Sequence, residues 1–197
     1  KHFDFCGYVL GQHPQAFGER DALRASLGYR ADEQVCIVTV GGSGVGNHLI
    51  RRILDAWPTV RSRMPALRMV LVAGPRIDPA SLGAPAGVEV RAFVPDLDRH
   101  LAACALALVQ GGLTTCMELA AAGTPFLYFP LRNHFEQNVH VAHRLTRYGA
   151  GRRMDYATAT PDRIAEAMLD IMRAPPKPHP VEADGAARAA RMLVDLL

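Results

Sequence analysis

Three short stretches of this 197-residue chain pair glycines or small residues with polar side chains in arrangements suited to binding anions and hydroxyls. The first is Gly41-Gly42-Ser43-Gly44-Val45-Gly46, directly after the apolar run Val35–Val40. Glycines let backbone N–H groups approach an anion closely, and a helix starting behind them adds partial positive charge, so phosphate is the candidate ligand. The loop does not end in the Gly-Lys-Ser/Thr of a P-loop, and its glycines do not fall in a GxGxxG register. A tight turn without a ligand is the plainer alternative.

The second stretch, Gln110-Gly111-Gly112-Leu113-Thr114-Thr115-Cys116-Met117-Glu118, again opens a helix with glycines and adds two hydroxyls to its first turn. Glu118 falls about one turn further on, where a carboxylate can accept hydrogen bonds from vicinal hydroxyls such as those of a ribose. By spacing alone it is equally a carboxylate favoured by the helix dipole. The third stretch, Phe129 to Asn138, gathers Arg132, Asn133, His134, Glu136 and Gln137 after another apolar run. Acid and amide side chains suit the hydroxyls of a neutral sugar, although polar residues at an exposed helix start are also common.

Other arrangements carry less. Asp96-Leu97-Asp98 has the form that chelates a divalent cation with nucleotide phosphates, but it sits at a helix start, where Asp96 reads more simply as an N-cap. Ser43 lies on a strand-to-helix turn without the GxSxG spacing of a nucleophile elbow. The 8 His form no HExxH or other compact ligand set. No nucleophile, base or metal centre is assignable.

Elements that would position these loops are legible around them. The apolar runs Val35–Val40, Met69–Ala73, Val88–Val94, Ala105–Val109 and Pro125–Phe129 show little polar alternation, as strands covered on both faces of a parallel sheet do. Helical patterns fall between and after them, at about 47–63, 96–104, 113–122, 134–147, 161–173 and 183–196. Thr160 before Pro161 is a good helix start. This order predicts an α/β domain, doubly wound, with a mainly parallel sheet of about six strands flanked by helices. Such sheets bind ligands beyond the carboxyl ends of their strands, which is where all three polar loops fall.

Composition narrows the class. At 49% hydrophobic and 21% charged residues the chain is far from disorder and long enough to bury a substantial core. Its length predicts one domain or slightly more. No stretch reaches the roughly 18–20 apolar residues of a membrane span, and the first ten residues have no long apolar signal-peptide core. The net charge of +3 rests on scattered arginines, and only Lys1 and Lys177 are lysine. That scatter, without a basic stripe interleaved with aromatics, argues against nucleic acid as a partner. Cys6, Cys36, Cys104 and Cys116 have no zinc spacing; three of them lie inside apolar segments, where Cys acts as a small hydrophobe, which fits a reducing cytoplasm.

Taken in order, Gln110–Glu118, then Ala120-Ala121-Ala122-Gly123-Thr124-Pro125, Phe129-Pro130 and Glu136-Gln137-Asn138, resemble the donor-binding half of GT-B glycosyltransferases. The set is similar in particular to the bacterial family that includes the peptidoglycan lipid-intermediate N-acetylglucosaminyltransferase. The resemblance runs from about Gly41 to Ile171. It implies a Rossmann-like half of a GT-B fold that binds a nucleotide sugar, with UDP as the expected nucleotide. Gly41, Gly42, Ser43 and Gly44 would approach the diphosphate. Phe93 and Val94 would line the base pocket, and Gly112, Leu113 and Thr114, with Thr115 beside them, would present the helix start to the phosphates. Glu118 would hold the ribose, and Glu136 and Gln137, with His134 nearby, the donor sugar. The resemblance implies no metal and no cofactor beyond the nucleotide-sugar substrate.

Two residues depart from the family pattern: Gln110 stands where many relatives have His, and Glu136 where the acid is usually Asp. In such enzymes the acceptor site and the usual base belong to an N-terminal domain. The segment Phe3-Asp4-Phe5-Cys6-Gly7-Tyr8-Val9 reads like the middle of a longer protein. The expected division is therefore 1–30 as a linker from an N-terminal acceptor-binding domain or subunit, 31–174 as the donor-binding domain, and 175–197 as a Pro-rich linker and C-terminal helix. The activity implied is transfer of a hexose or N-acetylhexosamine to an acceptor hydroxyl, inactive without the acceptor-binding part. The setting would be the cytoplasm, with the inner face of the membrane reached through that partner where the acceptor is lipid-linked. A nucleotide-sugar epimerase half and a non-catalytic nucleotide-sugar-binding subunit share the same pocket. An NADP-binding domain has only Gly41–Gly46 and Arg76 in its favour.

Overall fold

A computed structural model describes residues 3–42 and 44–196; the expectation for Ser43 lies outside the described residues. Six strands make one all-parallel sheet in the order β3-β2-β1-β4-β5-β6. They are β1 (Gln34–Thr39), β2 (Leu67–Val72), β3 (Val88–Arg91), β4 (Leu106–Val109), β5 (Phe126–Tyr128) and β6 (Arg152–Arg153). The helices are α1 (Arg20–Ser26), α2 (Asn47–Arg63), α3 (Leu97–Ala103), α4 (Leu113–Ala122), α5 (Ala142–Tyr148), α6 (Pro161–Arg173) and α7 (Gly185–Val194).

The central strands β1 and β4 have both faces covered, which is why β1 is apolar from Val35 to Val38 and β4 from Leu106 to Val109. Successive residues point to opposite faces. Cys36 and Val38 join the core under α2 and α6, with Trp57 and Ile164, while Val35 and Ile37 join the core with Leu101, Met117 and Leu145. In register, Thr39 pairs with Val72 on one side and with Val109 on the other. The order of strands reverses direction between β1 and β4, and a crevice opens there beyond their carboxyl ends.

The structure departs from the sequence reading in four places. Strands β3, β4 and β5 are shorter than their apolar runs: β3 stops at Arg91, and Phe93 and Val94 belong to the turn beyond it. The two-residue β6, with both arginines exposed, pairs through backbone alone with Leu127 and Tyr128. The helix expected over 134–147 is a π-helical turn, Glu136–Val141, running into α5. Finally, the linker expected over 1–30 contains α1, which is docked on the domain. Leu23 is buried there, and the buried Arg24 donates to the carbonyls of Ala103, Arg30 and Glu33 while Arg20 donates to Cys104 at 2.6 Å. An arginine tolerates burial where its N–H groups all find acceptors.

At the other end, residues after α6 cross back to the N-terminal segment: His179 N–H donates to Tyr148, and Gly185 N–H to Tyr8. The expected helix over 183–196 is α7, two residues shorter at each end. No helix among the described residues is long and apolar enough to cross a membrane. The buried thiols behave as packing groups, since burial pushes Cys104 and Cys116 up to about 12.

Candidate functional site

The crevice between the ends of β1 and β4 contains a cleft of ≈ 240 Å³. Its walls come from the three loops singled out in the sequence. Gly41 and Gly42 follow β1, Gln110, Gly112 and Thr115 follow β4, and Leu131, His134 and Gln137 follow β5. Thr39 and Val109, at the last β1–β4 register position, form the floor with Val40.

The glycine loop is shaped by close packing. Gly41 and Gly44 have φ of 73° and 78°, a left-handed backbone that side chains rarely adopt. Below them the turn after β2 lies in contact. A Cβ on Gly74 would come within 2.7 Å of the Gly41 carbonyl oxygen, Gly42 sits against the Pro75 ring, and Gly44 against Cβ of Arg76. Gly46, which opens α2, fits only because it has no Cβ to strike Val40. Among the described residues, Asn47 Oδ1, one residue further on, is the buried side-chain acceptor without a partner.

The opening of α4 is bare of side-chain capping. Gly112 is its N-cap, and the first helical bond runs from Cys116 N–H to the Gly112 carbonyl. The N–H groups of Leu113, Thr114 and Thr115 are therefore left for solvent or a ligand, with the positive end of the helix dipole behind them. Leu113 packs its side chain partly into the core, so only its backbone serves the site. Thr115 lines the cleft, whereas the exposed Thr114 does not.

Two neighbouring amides hold the third loop. Gln137 is buried and its Oε1 accepts the Leu131 N–H at 2.8 Å. Asn138 Nδ2 donates to the carbonyls of Leu131 at 2.7 Å and His134 at 2.9 Å, while its Oδ1 accepts from Arg153 of β6 at 2.7 Å. The loop is thus tied by side chains that imitate a backbone ladder. The π-helical turn lets Gln137 and Asn138 meet the loop while Val141 and Leu145 remain in the core. Asn138 is the residue that reading by type overlooked: nothing in its spacing reveals that its partners are loop carbonyls. Glu136, by contrast, is exposed and takes no part in the cleft wall.

Glu118 and Phe93 lie outside the cleft wall, toward α3. Glu118 is half-buried, and burial, reinforced by the nearby Asp98 carboxylate, raises its carboxyl above the ordinary range. Phe93 is 75% exposed on the turn after β3, while Val94 beside it is buried. Asp96 occupies the N-cap position of α3 as expected but makes no capping bond with its side chain. Its φ of 47° and ψ of 47° replace the extended backbone from which a cap side chain reaches the helix. Among the described residues no three His, Cys, Asp or Glu are grouped to hold a metal ion.

The family model of the Glycosyltransferase family 28 C-terminal domain matches residues 35–196. An uncharacterized glycosyltransferase of Methanopyrus kandleri is 29% identical over 194 residues, 98% of this chain and 54% of that protein. The UDP-N-acetylglucosamine--N-acetylmuramyl-(pentapeptide) pyrophosphoryl-undecaprenol N-acetylglucosamine transferase of Methylorubrum populi is 35% identical over 108 residues, 54% of this chain and 29% of that enzyme. The chain thus spans about half the length, or less, of these relatives. Among solved structures, MurG of Acinetobacter baumannii superposes with a TM-score of 0.60 over 78% of this chain and 44% of that one, at 23% identity.

Proposed function

Because the chain belongs to the family 28 glycosyltransferase C-terminal domains, we propose that it is the donor-binding half of an enzyme that transfers a hexose or N-acetylhexosamine from a UDP-sugar to an acceptor hydroxyl. The observation that carries this reading is the convergence, in one cleft at the β1–β4 crevice, of Gly41 and Gly42, the uncapped start of α4 and the amide of Gln137. Together these offer N–H donors for a diphosphate beside a polar group for a sugar.

In this reading the diphosphate lies across the glycine loop and the first turn of α4. Negative charge grows on the diphosphate as the glycosidic bond breaks, and the backbone N–H groups of α4 and its dipole face that charge without needing to reorganise. That arrangement supports metal-independent transfer. The ribose and base extend along α4 toward α3, where Glu118 accepts the ribose hydroxyls and the Phe93–Val94 turn receives the base. Gln137 and His134 line the sugar end. We assign no acceptor-deprotonating base among the described residues, so in this reading that step falls to the acceptor-binding part of the enzyme. The Methylorubrum relative is named for a lipid-linked acceptor, and an acceptor of that class would bring the enzyme to a membrane surface through that same part.

Calorimetric titration with UDP in the presence of EDTA tests the reading. One-to-one binding without metal is expected, with UDP-sugars compared next. Binding of another nucleoside diphosphate but not UDP would change the donor, and failure of every nucleoside diphosphate to bind would overturn the assignment.

A further inference from the structure

The cleft has an electrostatic gap. Among the described residues its walls hold no lysine or arginine, and Gln110, which follows β4 directly, is neutral. A diphosphate carries two or more negative charges, and helix N-termini provide only about half an elementary charge each. A fixed cation at the edge of the glycine loop would complete the site.

Arg76 is placed there by the fold. The turn Gly74-Pro75-Arg76 after β2 runs alongside the glycine loop residue for residue: Gly74 against the Gly41 carbonyl, Pro75 against Gly42, Arg76 against Gly44. The Arg76 Cβ lies 3.4 Å from where a Gly44 Cβ would be, so the arginine stem starts in contact with the loop. The side chain is exposed, and among the described residues it makes no hydrogen bond or ion pair, unlike Arg30, Arg68 and Arg188. The next acid along the chain, Asp78, is occupied in capping the turn at Pro79–Leu82 by accepting from Ala80 N–H. The neighbouring Gly74 cannot be exchanged without collision, so the turn that carries Arg76 is held at a fixed distance from the loop.

We propose that Arg76 is a binding residue of the diphosphate subsite: its guanidinium reaches over Gly44 to the phosphate oxygens and supplies the positive charge that the cleft walls lack. A planar fork of N–H donors matches two phosphate oxygens at once. This rests on the donor-site reading above and adds to it a residue whose part is charge recognition of the phosphates, with no part in recognising base or sugar.

The test is titration of the 197-residue chain with UDP and with uridine, for wild type, Arg76→Gln, Arg76→Lys and Arg173→Gln. The last removes the same charge from the exposed end of α6 as a control, and thermal melts establish that each variant is folded. Arg76→Gln is expected to weaken UDP roughly tenfold and leave uridine unchanged. Arg76→Lys recovers part of the loss, and Arg173→Gln binds as wild type does. Added salt should weaken UDP binding more steeply in wild type than in Arg76→Gln. Equal UDP affinity in wild type and Arg76→Gln, or an equal loss in Arg173→Gln, overturns the role of Arg76 and leaves the donor site standing. Wild type that binds no nucleoside diphosphate overturns both together.

Discussion

The side-chain carbonyl of Gln137 accepts the backbone N–H of Leu131 at 2.8 Å, and this bond fixes which end of the amide is left for the cleft. Its oxygen is engaged by the loop, so among the described residues the NH₂ group is the end without a protein partner. Gln137 therefore enters the site as a hydrogen-bond donor.

Gln137→Glu separates its two tasks. A carboxylate still accepts the Leu131 N–H but has nothing to donate. The folded loop should survive, with a melting temperature close to wild type, while the advantage of a UDP-sugar over UDP falls roughly tenfold. Gln137→Ala should lose both stability and sugar affinity. Paired thermal melts and titrations distinguish these outcomes, and an unchanged UDP-sugar preference in Gln137→Glu would remove Gln137 from the donor site.

Asn138 makes the larger structural contribution. Asn138→Ala removes the side-chain bonds to the carbonyls of Leu131 and His134, which keep the backbone N–H groups of His134 and Asn138, and the bond from Arg153. The expected cost is about 0.5–1.5 kcal/mol in denaturant unfolding, or a fall in Tm of about 2–4 °C per kcal/mol. Asn138→Asp should also destabilise, because it sets a carboxylate against those same carbonyls.

If Glu118 holds the ribose, pH and binding are linked through it. Burial first, and then Asp98, raises its carboxyl, so its charged form is the costly one in the folded protein. The sign follows: its contribution to stability is greatest below the pKa of the unfolded chain and is lost as pH rises through the higher folded value. Glu118→Gln should therefore be more stable than wild type at neutral pH, yet bind UDP more weakly. Nucleotide binding by wild type should weaken as pH falls through the raised value. Asp98→Asn should move that midpoint to lower pH, which a titration series in UDP would show. Full UDP affinity in Glu118→Ala would end the ribose assignment.

Gly46→Ala probes the glycine loop itself. An added methyl collides with Val40, which forms part of the cleft floor. The expected result is about 1–3 kcal/mol of destabilisation with a parallel loss of UDP affinity, measured by chemical denaturation and calorimetry.

The sheet and most helices were legible because burial on both faces writes itself into composition: β1 is apolar from Val35 to Val38 and β4 along its whole length, and Thr160 caps α6 as its spacing suggests, accepting from Arg163 N–H. Helices α2, α4 and α6 fall at 47–63, 113–122 and 161–173, as read. What escaped depends on distant backbone. Helix α1 is held by arginines whose acceptors, Ala103 and Cys104, lie some eighty residues away, and no local pattern announces that. Strand β6 pairs through main chain while its side chains stay in water. At the site, the three loops picked out by residue type meet at one cleft, whereas the partners of Asn138 and the position of Arg76 depend on what lies beside them, which spacing does not encode.

The π-helical turn at Glu136–Val141 holds one residue more per turn than an α-helix does. Such a turn is what an ordinary helix becomes when it absorbs a single inserted residue. Deleting one residue between Val139 and Val141 would restore α-helical winding and rotate the preceding segment by about 100° relative to α5. Gln137 and Asn138 would then leave the loop, and a different pair of side chains would take their place. A one-residue change in the length of this segment is thus a route by which evolution can exchange this wall of the cleft without touching the sheet that supports it.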